Sequence, residues 1–369
     1  MSQMKHTDGN RRNGYDKEQF AESLQAICGN PGALTPAFID DLLTADEEEA
    51  AALFSLARET RRRVFGDKIF LYGFVYYSTY CENDCHFCYY RKANRIERYR
   101  KEPREVVETA ARLIESGVHL IDLTSGEDAK LRREGHSALA EMVAGIRRHA
   151  DVGIMVSPGV VDTDTIRMLA DAGADFFALY QETHDRALFE NLRSGQDYNL
   201  RMEAKVQARA AGMLVEEGIL SGVGESAESL VHSLQEMGRI GASQVRAMSF
   251  EPQEGTPMNG AERGARRREL VLLAIMRILY PHAFIPATLD VDGIAGLAPR
   301  LDAGANVVTS IIAPMEGYRG VAQSVQDVDD GGRTARVARG ILERMGLHTA
   351  THEEFRSAVD ALKRRSGGT

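Results

Sequence analysis

Three of the chain's four cysteines lie in one short stretch, at Cys81, Cys85 and Cys88. Thiols separated by three and then two residues on one loop can all turn toward one metal centre, and thiolates suit iron–sulfur clusters or zinc. Zinc would require a fourth ligand; His86 is close, but no second Cys/His pair follows at zinc-finger spacing. Three cysteines on a four-iron cluster would instead leave one iron open to a small molecule. Cys28 lies far upstream and is expected to be an ordinary buried thiol.

A second set of reactive side chains stands near the ends of apolar runs. Asp122 closes one predicted strand, Arg246 lies within another and Asp290 follows a third. Buried charges need partners or ligands, and an arginine can clamp a carboxylate while aspartates hold ammonium groups. The trio therefore suits an amino acid, and a diamino acid such as lysine would use all three; Ser249 and Thr288 could add hydrogen bonds. The alternative is an internal salt bridge between Arg246 and one aspartate.

A repeating pattern of short apolar runs and amphipathic helices positions these residues. Eight strands are predicted, at 69–76, 118–123, 152–156, 174–180, 213–220, 244–249, 284–287 and 306–309. Seven helices are predicted between them, at 103–116, 136–149, 162–172, 196–211, 226–240, 260–280 and 294–303. The alternation predicts an α/β fold, a parallel (β/α)8 TIM-type barrel, with a doubly wound open sheet as the alternative. In either fold, ligands bind at the carboxyl ends of the strands.

The barrel is expected to span 67–333, between a leader at 1–66 and a tail at 334–369. The leader begins with a polar, loose segment of about 15 residues and continues into one or two helices. The tail is expected to form one or two helices that close over the domain. The length and glycines of the segment 314–332 predict that it seals the barrel mouth.

Composition narrows the possible functions. A net charge of −9 over 369 residues argues against a general nucleic-acid binder. Four cysteines are too few for a disulfide scaffold. There is no apolar run of membrane-spanning length and no apolar core of a signal peptide, so the expected location is the cytoplasm, without membrane attachment. The expected partner is a small molecule.

The cysteine motif Cys81-x3-Cys85-x-Phe87-Cys88, after the first strand of a barrel, resembles the signature of the radical S-adenosylmethionine (SAM) enzymes. The resemblance implies a 4Fe-4S cluster whose open iron chelates SAM, and an electron donor of the flavodoxin or ferredoxin type. Reductive cleavage of SAM then gives methionine and a 5′-deoxyadenosyl radical. So reactive a radical requires a buried site. No catalytic residue is implied beyond the cluster and the radical.

Further motifs follow in the order of that family. Ser125-Gly126-Glu127, after the second strand, is similar to the glycine–glutamate motif that receives the amino group of SAM, with serine in place of the first glycine. Glu182, after the fourth strand, is similar to a carboxylate that contacts the ribose or the amino group. Arg201 matches an arginine that reaches the SAM carboxylate, with Arg193 as a weaker candidate.

The adenine of SAM has its own expected contacts. Ile219 and Leu220, in the fifth strand, resemble the glycine–isoleucine motif of the biotin synthase branch and could pack on adenine. Tyr90, just past the third cysteine, would offer its backbone.

More specific stretches resemble the methylornithine synthase family of pyrrolysine biosynthesis. They include 68–80, 88–100, 244–250, 289–296 and 320–326, and the likeness covers most of 60–330. It implies that L-lysine is isomerised to (3R)-3-methyl-D-ornithine: the radical takes a hydrogen, the carbon skeleton fragments, and the fragments recombine at a different carbon. Three alternatives stay open. They are a hydrogenase-maturase-type enzyme with another amino-acid-derived substrate, biotin synthase (disfavoured because it needs more cysteines), and a zinc-stabilised, non-catalytic binding module.

Overall fold

The computed structural model describes residues 17–313 and 332–366. The loose segment expected at the start of the chain lies outside the described residues. So does the expected cover of the barrel mouth, apart from its last residue, Gly332.

Eight parallel strands form the central sheet. They are β1 (Lys68–Ser78), β2 (Leu120–Ser125), β3 (Gly153–Ser157), β4 (Phe176–Ala178), β5 (Leu214–Ser221), β6 (Gln244–Ser249), β7 (Pro286–Thr288) and β8 (Val307–Ile311). Their order is β6-β5-β4-β3-β2-β1-β8-β7, and a parallel bridge between Gln244 and Phe284 links β6 to the segment that leads into β7. Each strand lies beside its neighbours in sequence and the first lies beside the last. This cyclic order confirms the TIM-type barrel, because a doubly wound sheet reverses its order at a central strand.

Fourteen helices are present in the described residues. They are α1 (Lys17–Ala26), α2 (Pro36–Thr44), α3 (Glu47–Phe65), α4 (Pro103–Glu115), α5 (Ala129–Arg133), α6 (Ser137–His149), α7 (Thr163–Ala172), α8 (Arg186–Leu192), α9 (Tyr198–Ala210), α10 (Ala227–Arg239), α11 (Arg266–Leu279), α12 (Leu297–Asp302), α13 (Ala335–Arg344) and α14 (His352–Ser366). All seven expected helices between strands are found. The short α5 and α8 were not predicted, because five to seven residues are too few for an amphipathic period to show.

The leader folds onto the outside of the barrel. It contains three helices in place of the expected one or two, and α3 is capped by Asp46, whose side chain accepts from the Glu49 amide at 2.9 Å. Arg61, on α3, donates to the carbonyl of Leu301 at 2.6 Å, which ties the leader to α12. No helix among the described residues is both long and apolar enough to cross a bilayer.

The tail closes the amino ends of the strands. A short strand, β9 (His348–Thr349), pairs with the start of β1, and α14 follows it across the barrel floor. Phe355 of α14 packs against Phe70 and Phe284 with ring centroids 5.4 and 6.1 Å apart. This aromatic floor, Phe70, Phe284 and Phe355, leaves the opposite end of the barrel, where the strands have their carboxyl ends, as the place for a site.

Candidate active site

A cavity occupies the carboxyl ends of the barrel strands. Up to and including its open mouth, it holds about 960 Å³ of empty space, part of which is open solvent. Its outer wall is the loop after β1, which carries the three cysteines, and its inner wall includes Asp122, Arg246 and Asp290. The structure therefore brings the cysteine motif and the charged trio to one site, as the strand-end argument predicts.

Hydrogen bonds to the backbone hold the cysteine loop in place. Arg98 donates to the carbonyls of Tyr90 and Arg91 at 2.8 and 2.7 Å and also contacts the carbonyl of Thr79. Gln196 donates to Cys85 Sγ at 3.0 Å. The loop is thus tied both to itself and to the segment that precedes α9. The Tyr90 carbonyl accepts one of these bonds, and the expected backbone contact of Tyr90 with adenine stays a prediction.

The three thiols fit a cluster better than a single ion. Cys81, Cys85 and Cys88 line the same cavity. In the described part of the chain, no three His, Cys, Asp or Glu side chains are grouped closely enough to hold one metal ion. Zinc would need such a group, with sulfurs about 2.3 Å from the metal. A four-iron cluster binds each cysteine through a different iron and therefore suits thiols that are spaced apart.

Close packing fixes the Ser125-Gly126-Glu127 turn against the cysteine loop. A Cβ on Gly126 would lie 2.4 Å from the Tyr80 carbonyl oxygen and 2.8 Å from Cys81 Cβ, so only glycine fits there. Glu127 lines the cavity and pairs with Arg201 at 2.9 Å. Burial alone would raise the pKa of Glu127, but Arg201 lowers it, so this carboxyl is ionised at neutral pH.

A second ion pair lies beside the first. Glu182 Oε1 accepts from Arg193 at 2.6 Å, and Arg193 Nη1 lies 3.6 Å from Cys85 Sγ. Glu182 has a positive φ of 67°, rare for a residue with a side chain, and its second carboxylate oxygen is buried with no hydrogen-bond partner in the described ranges. Both candidate arginines, Arg193 and Arg201, line the cavity.

The two side chains expected to pack on adenine lie on opposite faces of β5. Side chains alternate across a strand, so Ile219 and Leu220 cannot both face the cavity. Ile219 lies in the main core with the helices, whereas Leu220 packs with Phe250 and with Phe87, which lines the cavity. The contact of Leu220 with adenine stays a prediction.

Asp122 lies at the inner wall of the cavity, and its pKa is raised. It is 1% exposed, and Thr124 and Ser157 donate to its Oδ1 at 2.8 and 3.2 Å. Burial, with the nearby charge of Glu216, raises the pKa of Asp122 to about 7. Within residues 17–313 and 332–366, Asp122 forms no ion pair with an arginine.

Asp290 is held differently. It accepts from Tyr76 and Arg333 at 3.0 Å each and from Ser310 at 2.6 Å. Burial alone would raise its pKa, but Arg333 brings the pKa of Asp290 below its usual value. Thr288 also donates to it, at 3.1 Å, and so supports Asp290 from behind without lining the cavity itself.

Arg246 does not pair with either aspartate, contrary to the salt bridge considered from the sequence. Its Nε donates to Glu216 Oε1 at 2.9 Å, and Tyr180 donates to the other oxygen of Glu216 at 2.9 Å. Arg246 Nη2 is buried and has no hydrogen-bond partner among the described residues.

Ser249 does not reach the cavity, which corrects its expected role. It lies three residues from Arg246 in the same strand, an odd separation that places the two side chains on opposite faces. Its backbone amide donates to Glu269 of α11 at 3.3 Å.

Four functional neighbours escaped the sequence analysis: Ser157, Tyr180, Glu216 and Arg333. Glu216 had a signal, because it is a charged residue in a fully buried strand and stands in the same strand phase as Gly218. Arg333 had none, since it contacts Asp290 from 43 residues away.

Comparisons with known proteins identify the family of the chain. Residues 75–237 match the Radical SAM superfamily. The chain is 42% identical to 3-methylornithine synthase of Methanosarcina acetivorans over 85% of the chain and 89% of that protein. It is 30% identical to the FeFe-hydrogenase maturase subunit HydE of Thermotoga maritima over 70% of the chain and 74% of that protein. A crystal structure of methylornithine synthase superposes with a TM-score of 0.84 at 38% identity, covering 92% of this chain and 99% of that one.

Proposed function

The chain belongs to the radical SAM superfamily and, within it, to the 3-methylornithine synthase family, and from this premise we propose that it isomerises L-lysine to (3R)-3-methyl-D-ornithine, as a step of pyrrolysine biosynthesis. The observation that carries the proposal is the single cavity that has three cysteines at its outer end and Arg246, Asp122 and Asp290 at its inner end. The residues proposed for a radical source and those proposed for an amino-acid site thus line one cavity.

The outer end of the cavity is proposed to hold the cofactors. Cys81, Cys85 and Cys88 would bind a 4Fe-4S cluster, and Glu127, Arg201 and Glu182, with the backbone of the Ser125-Gly126 turn, would bind SAM. When bound, these groups supply the 5′-deoxyadenosyl radical that removes hydrogen from the substrate, after one electron from a flavodoxin- or ferredoxin-type donor. Because both acidic residues already pair with arginines, both are oriented before SAM arrives, and the lowered pKa of Glu127 keeps that carboxyl ionised.

The inner end is proposed to bind lysine. Arg246 would receive the carboxylate, and Asp122 and Asp290 would receive the two ammonium groups. The reaction breaks and remakes carbon–carbon bonds, so the cavity must retain both fragments until they recombine. Three charged anchors and a closed barrel floor provide that retention, and no general acid or base is required.

A maturase-type activity on another amino-acid-derived substrate is the alternative. The relative named for it is 30% identical, against 42% for 3-methylornithine synthase, which also matches over more of the chain. The comparison favours the lysine mutase.

The test is anaerobic turnover. Protein reconstituted with iron, sulfide, reductant and SAM should convert isotopically labelled lysine into a product of unchanged mass that separates from lysine on chromatography. Deoxyadenosine released without any lysine-derived product would contradict the proposed substrate.

Cysteine variants provide the matched control. Cys85→Ser should lose the brown colour of the cluster and all turnover. Cys28→Ser should keep both, because Cys28 lies between α1 and α2, where its thiol donates to the Leu24 carbonyl at 3.4 Å. Equal loss in both variants would point to a general effect on folding.

A further inference from the structure

The side chain that orients Arg246 is not one of the predicted substrate residues. Glu216 is fully buried and does not line the cavity, whereas Arg246 and Tyr180 both do. Both carboxylate oxygens of Glu216 are used, one by Arg246 Nε and one by the Tyr180 hydroxyl, each at 2.9 Å. Glu216 therefore reaches the cavity only through these two side chains.

The backbone explains why the three side chains meet. In the pairing of β5 with β6, Gly218 lies opposite Arg246. A Cβ on Gly218 would come within 3.0 Å of the Tyr180 ring, so glycine there lets the ring lie flat on the strand. The Arg246 guanidinium lies 5.5 Å from the centroid of that ring. Arg246 is thus held by an acceptor on one edge and by an aromatic face.

The charges around Arg246 show what this arrangement prevents. Asp122 and Asp290 are near enough to stabilise the charged guanidinium, yet neither accepts a hydrogen bond from it among the contacts of the described chain. If Arg246 turned toward Asp122, one contact would remove both the carboxylate site and one ammonium site. With Glu216 in place, Nη2 has no hydrogen-bond partner within the part of the chain that the structure describes.

The geometry points to Glu216 as a positioning residue for substrate binding: with Tyr180 it holds Arg246 with one guanidinium edge free for the substrate carboxylate, and keeps it from closing onto Asp122. The inference rests on the proposed function, because the carboxylate is that of lysine. It also predicts whether replacing Glu216 weakens or tightens the binding of lysine. A carboxylate that merely competed for Arg246 would weaken lysine binding, and its removal would tighten it; a positioning carboxylate does the opposite.

The test measures lysine turnover by the reconstituted Glu216→Gln enzyme. We expect the KM for lysine to rise about tenfold or more while kcat changes less than about threefold, because the lost interaction acts on bound substrate and transition state alike. An unchanged or lowered KM would overturn the inference.

Glu217→Gln is the matched control. Glu217 is the next residue, is equally buried, and faces the helices, where it pairs with Lys205. This variant should lose stability without changing the KM for lysine; the same rise in both variants would reduce Glu216 to a structural role.

Tyr180→Phe provides a second test of the inference if the Glu216→Gln variant does not fold. It removes only the hydroxyl, and the KM should rise about threefold; no rise would contradict the inference. Wild-type enzyme that does not turn over lysine would overturn the proposed function together with the inference. Normal wild-type turnover with an unaltered KM in the variants would overturn the inference alone.

Discussion

Asp122 is the proposed lysine anchor whose charge changes within the pH range of an ordinary assay. Its pKa is raised to about 7, so it is largely neutral at pH 6 and ionised at pH 8. Only the ionised form balances an ammonium group. The KM for lysine should therefore fall roughly tenfold from pH 6 to pH 8, measured by initial rates at saturating SAM.

Two variants assign that pH dependence. Asp122→Asn should raise the KM and flatten its pH profile. Asp290→Asn should raise the KM and keep the profile, since the pKa of Asp290 is already below its usual value. The pKa of Glu182 is also raised by burial, so a step that survives in Asp122→Asn would belong to Glu182 or another group.

At the same scale, the sequence reveals residue types more readily than their partners. Asp122, Arg246 and Asp290 were expected at one site because strand ends converge, and they line one cavity. Ser249 and Ile219 were misplaced, although strand alternation counted from Arg246 and Gly218 would have excluded them. The pairing of Arg246 with Glu216 depends on how β4, β5 and β6 lie in three dimensions, which no local pattern contains.

At the scale of the elements, a buried histidine, His119, helps to fix the C-terminal tail to the barrel. His119 Nδ1 accepts from the Leu71 amide and its Nε2 donates to the Ala350 carbonyl, both at 2.8 Å. Burial lowers the pKa of His119 to about 4 from 6.5. Between these two pH values the unfolded chain binds a proton that the folded chain does not bind. The free energy of unfolding therefore falls by about 3 kcal/mol as the pH falls from 6.5 toward 4.

His119→Asn should remove this acid sensitivity and speed hydrogen exchange in α14 at pH 7, because the bond to Ala350 is lost. Urea unfolding at pH 7 and pH 5, together with exchange measured by mass spectrometry, checks both effects. His352→Asn is the control, since His352 is exposed although its ring centroid is 5.2 Å from that of His119. Slow exchange in α14 of His119→Asn would contradict the role of this contact.

The sequence located the regular elements because their apolar periods are long. β6 was expected at 244–249 and is found at Gln244–Ser249. Helix α11 begins six residues after its expected start at 260, since the preceding residues are not helical and the Gly264 amide donates instead to the Phe250 carbonyl at 2.8 Å. The docking of α14 under the floor depends on contacts between distant aromatic residues, which periodicity does not report.

At the scale of the whole molecule, the binding of SAM should raise the free energy of unfolding. SAM at about 100 times its Kd should raise the free energy of unfolding of reconstituted protein by about 2.7 kcal/mol, and the Tm by a few degrees. Cys88→Ser should show no such shift, because SAM needs the cluster. An equal shift in that variant would place SAM elsewhere.

The aromatic floor also has a kinetic consequence. A chamber sealed by Phe70, Phe284 and Phe355 at one end has its entrance at the other, where the cysteine loop lies. The occupant that lies deepest must then enter before the outer one and leave after it. Lysine would be the leading substrate and SAM the second, and product would wait for the spent nucleoside to depart. The same order of binding would prevent the radical from forming before lysine is in the cavity.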